Sequence, residues 1–214
     1  MLESITTEEK TLLSGKKVLM VMAHPDDEVI FGWPIIQLSG VDVHVLCCSN
    51  DKNNPSRVEF SKRKDALERL MAKLGFSFSC FNYDSEFYRM STRDELLSNV
   101  LSMLMNQISS IKHDFVFSHN PLGEYGHIDH VLINQLVMSS CSRMLMTDMF
   151  IKSNWVPYGG FSEIQRRCFF KNENVVSGCK IDQAHYDMCK QVYVDHGCWT
   201  WSKPPITETK LYLV

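Results

Sequence analysis

Several things are scarce in this 214-residue chain, and each scarcity excludes something. Apolar runs last only a few residues, against the roughly 20 needed to cross a bilayer, so no membrane-spanning helix is expected. Basic excess is missing: the net charge is −3 with 22% charged residues, and nothing suggests a nucleic-acid partner. Repeats, low-complexity tracts and Pro/Gly/Ser-rich linkers are absent, so the length is read as one domain over 1–214. The acidic, polar start Met1-Leu-Glu-Ser-Ile-Thr-Thr-Glu-Glu-Lys10 is unlike a secretory signal, which points to a cytoplasmic protein. Eight cysteines (47, 48, 80, 141, 168, 179, 189 and 198) include no C-x-x-C pair. Most sit among Val, Leu, Phe or Met and are expected to be buried free thiols.

What is present reads as alternating strands and helices. Lys17-Val-Leu-Met-Val-Met-Ala23 is a continuous apolar run of strand length, the mark of a buried parallel strand. A second strand is expected over 41–48, followed by a polar loop. A helix over about 57–74 carries Phe60, Leu67, Leu70, Met71 and Leu74 at helical spacing, with Gly75 as its stop. Further expectations are a strand over 76–83, a helix over 92–111 opened by a Thr92-Arg-Asp-Glu95 capping box, a strand over 113–119 and a helix over 127–141. Beyond 153 the pattern weakens to a possible strand at 166–170, a helix over 181–193 and an extended end. Repeated strand-helix-strand order implies an α/β fold, a Rossmann-like, mostly parallel sheet with helices on both faces.

Ligands of such sheets bind beyond the carboxyl ends of the strands, where Ala23-His-Pro-Asp-Asp-Glu28 lies. Closely spaced carboxylates repel unless a cation or proton neutralises some of them, so a metal is an economical solution. Capping of a helix N-terminus by Asp26, Asp27 and Glu28 is the plain alternative, worth roughly 0.3 to 1 kcal/mol per acidic side chain. Against it stands a second cluster, Tyr125-Gly-His-Ile-Asp-His130, at the end of another expected strand. Its His127 and His130 are three apart and share one helical face. Two clusters at one sheet edge supply a histidine and a carboxylate from one side and a histidine from the other. Three protein ligands with an open position are what a catalytic zinc needs.

The two motifs, an apolar strand leading into Ala23-His-Pro-Asp-Asp-Glu28 and then Gly126-His-Ile-Asp-His130, resemble the LmbE-like or PIG-L family of zinc-dependent N-acetylglucosaminyl deacetylases. The likeness covers roughly residues 16–140, with Ile128 where many members have proline. It implies that His24, Asp27 and His130 hold zinc, or Fe2+ or another divalent ion, and that Asp26 is the general base. It further implies that His127 faces the developing oxyanion or protonates the leaving amine, that Tyr125 assists there, and that Arg63 and Asp84 touch sugar hydroxyls. The substrate expected on this basis is a small N-acylated amino-sugar conjugate, its aglycone read by loops at 49–56, 84–91 and 154–162. A soluble conjugate is favoured over a bilayer-resident glycolipid.

Other residues read more plainly. Arg63 lies in Lys62-Arg-Lys64, a pattern common on exposed helix faces. Asp129 suits either a partner to a ligand histidine or a solvated carboxylate, and Glu28 suits a structural acceptor. Trp199 and Trp201 fit core completion better than sugar stacking. His44, His113 and His185 have no partner pattern. Rival readings are a non-haem iron enzyme on the same triad, an amide hydrolase of another kind, and a catalytically silent sugar-binding protein. Oligomeric state is not written in the sequence.

Overall fold

Val, Leu and Met in unbroken succession make Lys17–Met22 the central strand β1, buried from Val18 onward because both faces of the sheet are covered. A computed structural model of the chain describes residues 12–48, 59–81, 94–151 and 168–214. Beside β1 lie β2 (Asp42–Cys47), β3 (Ser77–Cys80), β4 (Phe115–Ser118), β5 (Met144–Thr147), β6 (Val175–Lys180) and β7 (Glu208–Leu213). They form one seven-stranded sheet in the order β3-β2-β1-β4-β5-β7-β6. The first five strands are parallel, while β7 runs antiparallel to both β5 and β6.

Strand alternation sends Val18, Met20 and Met22 to one face and Leu19 and Val21 to the other. The first face packs on α3 (Phe60–Leu74) through Ala66, Leu67, Leu70 and Met71, and on α7 (Gln183–Asp195) through Tyr186, Cys189, Val192 and Tyr193. The second packs on Leu104 and Ile108 of α4 (Asp94–Ser110) and on Ile133, Leu136 and Val137 of α6 (Ile128–Ser140). Gly75 ends α3 at φ 71°, the left-handed conformation that lets the chain turn into β3. Two one-turn helices, α1 (Asp27–Ile30) and α2 (Trp33–Ile36), follow β1, and a kinked turn, α5 (Gly123–Gly126), follows β4.

The α/β expectation holds, with an antiparallel C-terminal edge added. Of the described residues in the segment expected as a strand at 166–170, Cys168 and Phe169 are instead helical and Phe170 lies in no strand. The edge strand lies later, at β6, where Gly178 and a bulge at Val175/Ser177 blur the alternation. Met144-Leu-Met-Thr147 is short and carries no turn signal of its own; pairing with β4 and β7 makes it β5. Thr92 of the expected capping box lies outside the described residues. Cys47, Cys48, Cys189 and Cys198 are buried thiols, whereas Cys168 is exposed. No helix among the described residues is long and apolar enough to cross a membrane.

Candidate functional site

Strand order reverses between β1 and β4, which opens a crevice at their carboxyl ends. Their register pairs Val21 with Ser118, so the residues just past each strand, His24 and His119, face the same crevice. After β1 the chain turns sharply at Pro25-Asp26. Asp26 adopts φ 104°, a left-handed conformation that aspartate tolerates better than most residues. It precedes α1 but makes no side-chain cap, so the helix-capping alternative does not describe it. After β4, Gly123 at φ 60° brings the turn against α6; an added Cβ would sit 2.9 Å from Val131 Cγ2 and 3.3 Å from His130 Cβ.

His24, Asp27 and His130 converge, all buried. Asp27 Oδ2 accepts from the His24 backbone N–H at 2.9 Å and lies 3.2 Å from His24 Nδ1, 3.3 Å from His130 Nε2 and 3.5 Å from His119 Nε2. Burial opposes its charge, but the surrounding histidines, His130 first, hold its carboxyl well below the usual range. His24 Nε2 meets Asp129 Oδ2 at 3.1 Å, which makes Asp129 a buried histidine partner and not a solvated carboxylate. Burial works against charge on His24, yet Asp129 and Asp27 push its pKa up to about 10. The pocket favours positive charge at this point.

Ligand atoms of His24, His127 and His130 lie within 4.8 Å of one another, and so do those of Asp27, His119 and His130. The fit to a divalent metal is tested by His130. Its Nδ1 lies 2.7 Å from Glu124 Oε2, so the ring proton sits there and Nε2 presents a lone pair. That atom is buried, has no hydrogen-bond partner and faces the Asp27 carboxylate oxygen. Two electron-rich atoms held together away from water need a proton or a cation between them, and imidazole plus carboxylate suits zinc or Fe2+.

Asp26 belongs to neither ligand group. Its Oδ1 accepts from Arg63 Nη2 at 2.7 Å and its Oδ2 from Thr200 Oγ1 at 3.1 Å. Burial raises its pKa to about 6, with Arg63 opposing and Asp27 adding to the rise. Arg63 is buried because it continues the inward stripe of Ala66, Leu67 and Leu70 on α3, so of the two readings of Lys62-Arg-Lys64 the exposed face does not hold for Arg63. Glu28 takes the structural role, with Oε2 accepting from Asp26 N at 3.0 Å and Oε1 accepting from the Tyr193 hydroxyl. Burial pushes its pKa up to about 8 despite the tyrosine.

His127 stacks 4.7 Å from His130 and meets His24 edge-on at 4.8 Å, ring centre to ring centre. Its Nδ1 accepts from the Asp129 N–H at 3.3 Å at the start of α6, leaving the proton on Nε2. Burial and the neighbouring His130 and His24 lower its pKa to about 3, so the ring is a neutral donor. The Tyr125 ring lies 5.4 Å from His130 and 5.4 Å from Trp201, which also packs 5.6 Å from Phe31. Trp201 thus stands at the crevice. Asp84 lies outside the described residues, as do the three loops expected to read the aglycone.

The PIG-L family model, described as GlcNAc-PI de-N-acetylase, matches residues 19–141, more than half of the chain and both motifs. The chain belongs to the PIG-L family. Among curated proteins it is similar to uncharacterized protein L374 of Acanthamoeba polyphaga mimivirus, at 26% identity over 149 residues, covering 65% of this chain and 64% of that one. It is also 26% identical over 137 residues to a probable N-acetylglucosaminyl-phosphatidylinositol de-N-acetylase of Dictyostelium discoideum, covering 59% of this chain and 50% of that one. This PIG-L chain therefore matches between half and two thirds of the length of those relatives. Its fold is that of the A40926 pseudoaglycone deacetylase Dbv21, with a TM-score of 0.63 at 11% identity, covering 94% of this chain and 98% of that one.

Four residues in this PIG-L site escaped the sequence reading: His119, Asn120, Glu124 and Thr200. His119 Nε2 accepts from the Ala23 N–H at 3.0 Å, and its Nδ1 meets Glu124 Oε2 at 3.0 Å. Burial opposes charge on this ring while Glu124 and Asp27 favour it, pushing its pKa up to about 9. The Ala23 N–H aimed at Nε2 requires a lone pair there and decides for the neutral ring. Asn120 ties the turn to the end of β5 through Met149 O at 2.6 Å, and its Oδ1 accepts from Leu122 N at 2.9 Å. The available signal was positional: His119 follows β4 as His24 follows β1.

Proposed function

We propose that this chain is a metal-dependent N-deacetylase of amino-sugar conjugates. The observation that carries the reading is a buried carboxylate, Asp26, with its pKa raised to about 6, beside a ligand cluster to which it does not belong. His24, Asp27 and His130 would hold the ion, zinc in the first instance. Asp129 accepts the Nε2 N–H of His24, which would leave the Nδ1 lone pair for the ion beside Asp27. When bound, the ion supplies Lewis acidity, polarising an amide carbonyl and making a water acidic near neutral pH.

The chain's own residues then divide the proton work. Asp26, ionised above about pH 6, accepts the proton of the attacking water at a carboxylate oxygen and returns it to the leaving amine as the C–N bond breaks. Arg63 and Thr200 fix that carboxylate. His127 donates a hydrogen bond from Nε2 to the oxygen that gains negative charge, a role suited to a ring kept neutral. Tyr125 borders the same space, and Arg63 and Asp84 are proposed to meet sugar hydroxyls. An acetylated amino sugar is also the kind of substrate named for the Dictyostelium relative and for the family itself.

Acetate release from a panel of N-acetylated hexosamine conjugates and sugar nucleotides, under argon, tests this. Turnover with zinc, lost with chelator and restored on zinc return, is expected. No release under argon from any member, whether or not activity then appears with oxygen and a 2-oxo acid, would overturn it.

A further inference from the structure

We infer that Glu124 is a positioning residue that fixes the tautomer of His130 and so aims its Nε2 lone pair at the metal; this rests on the metal-site reading above. The plain alternative is a buried turn residue that neutralises two nearby histidines. Three observations favour positioning.

The first is backbone conformation. Glu124 sits at φ 54°, ψ −49°, in a turn flanked by Gly123 and Gly126. Glycine, lacking a Cβ, would adopt this positive-φ conformation at lower cost than glutamate, so the turn has no need of glutamate. The side chain is the part that uses the position. Backbone contacts also hold the residue rigidly, since Ile151 N–H donates to the Glu124 carbonyl at 2.7 Å and Asn120 Oδ1 accepts from the Glu124 N–H at 3.3 Å.

The second is the sharing of oxygens. Oε2 receives the Nδ1 protons of both His130, at 2.7 Å, and His119, at 3.0 Å, while Oε1 receives the Asn120 N–H at 2.9 Å. Every donor around the carboxylate points at it. A glutamine cannot replace it: an amide group at the Oε2 position confronts both rings with N–H, and at the Oε1 position it confronts the Asn120 N–H. In the first arrangement His130 must move its proton to Nε2, which abolishes the lone pair facing Asp27.

The third is the asymmetry between the two rings. His119 has both nitrogens engaged, by Glu124 and by Ala23 N–H, whereas His130 has one engaged and one buried without a partner. The rings stack at 3.8 Å, so His119 also serves as the fixed surface against which His130 is held. Ligating histidines commonly donate their second ring N–H to a carboxylate, which raises ligand basicity.

The test measures zinc affinity of the full chain by competition with a chromophoric chelator near neutral pH. Glu124→Gln and Glu124→Gly are each expected to bind zinc about ten to a hundredfold more weakly than wild type. Glu124→Gly relaxes the backbone and so provides a folded variant if the glutamine variant misfolds. In metal-free protein, ring 1H–15N correlations should show His130 protonated at Nδ1 in wild type and at Nε2 in Glu124→Gln. Unchanged affinity in the variants, or weakened affinity with the His130 proton still on Nδ1 in Glu124→Gln, overturns the positioning role. Equal zinc affinity of wild type and His130→Ala places the failure in the metal-site reading itself and removes the inference with it.

Discussion

The two halves of the site solve opposite electrostatic problems. Past β1, His24, Asp26, Asp27 and Glu28 crowd three carboxylates into five residues, all buried. Past β4, His119, Glu124, His127, Asp129 and His130 spread three imidazoles and two carboxylates over a turn and the start of α6. In the first half burial dominates at Asp26 and Glu28, which are pushed up to about 6 and about 8, while the histidines hold Asp27 well below the usual range. In the second, burial is overcome by His119 and His130, which hold Glu124 down at about 2. The two halves neutralise each other across the crevice, because Asp27 faces His119 and His130 while His24 faces Asp129. The proposed division of roles follows this difference, with proton acceptance at Asp26 on the β1 side and ligand orientation by Glu124 on the β4 side.

The largest effect should come from removing the base while keeping the turn. Asp26→Asn tolerates φ 104° better than alanine would, and should lower kcat by at least about a hundredfold with zinc content unchanged in metal analysis. Turnover near wild type would mean that the β1 half does not supply the base.

A smaller change tests how the halves are tuned. In wild type, kcat/KM should fall as pH drops below about 6, because the base is competent only when ionised and its raised pKa sets that limb. Arg63 lowers the Asp26 pKa, so Arg63→Met should move the limb to higher pH, by about one to three pH units. A limb that stays in place in the pH profile of this variant separates Arg63 from the base.

The smallest effect is expected at the structural carboxylate. Tyr193→Phe removes a buried donor to Glu28 and should cost about 1 kcal/mol in urea unfolding, with kcat unchanged. A large loss of turnover at full stability would instead give Glu28 a part in the chemistry.

Much of this was legible because it is local. Val, Leu and Met in β1, the helical spacing of α3 with its terminal Gly75, and the two short motifs each lie within one segment, where period and turn chemistry suffice. β5 and β6 were not legible, since pairing with neighbours makes them strands despite short or bulged sequences. For Arg63 the lysine neighbours left a site residue and an exposed face both open; the register of Ala66, Leu67 and Leu70 on the same helix turns it inward to Asp26.

By itself, the sequence determined the α/β class and the cluster of His24, Asp26, Asp27, His127 and His130, because strand and helix periods and contiguous ionisable groups are properties of neighbouring residues. Tertiary structure alone decided how those groups are held. Arg63 and Thr200 on Asp26, Asp129 on His24, and Glu124 between His119 and His130 are contacts that exist only once the crevice between β1 and β4 has closed. Protonation and tautomer follow from burial and from partners distant in sequence, and no local pattern encodes either.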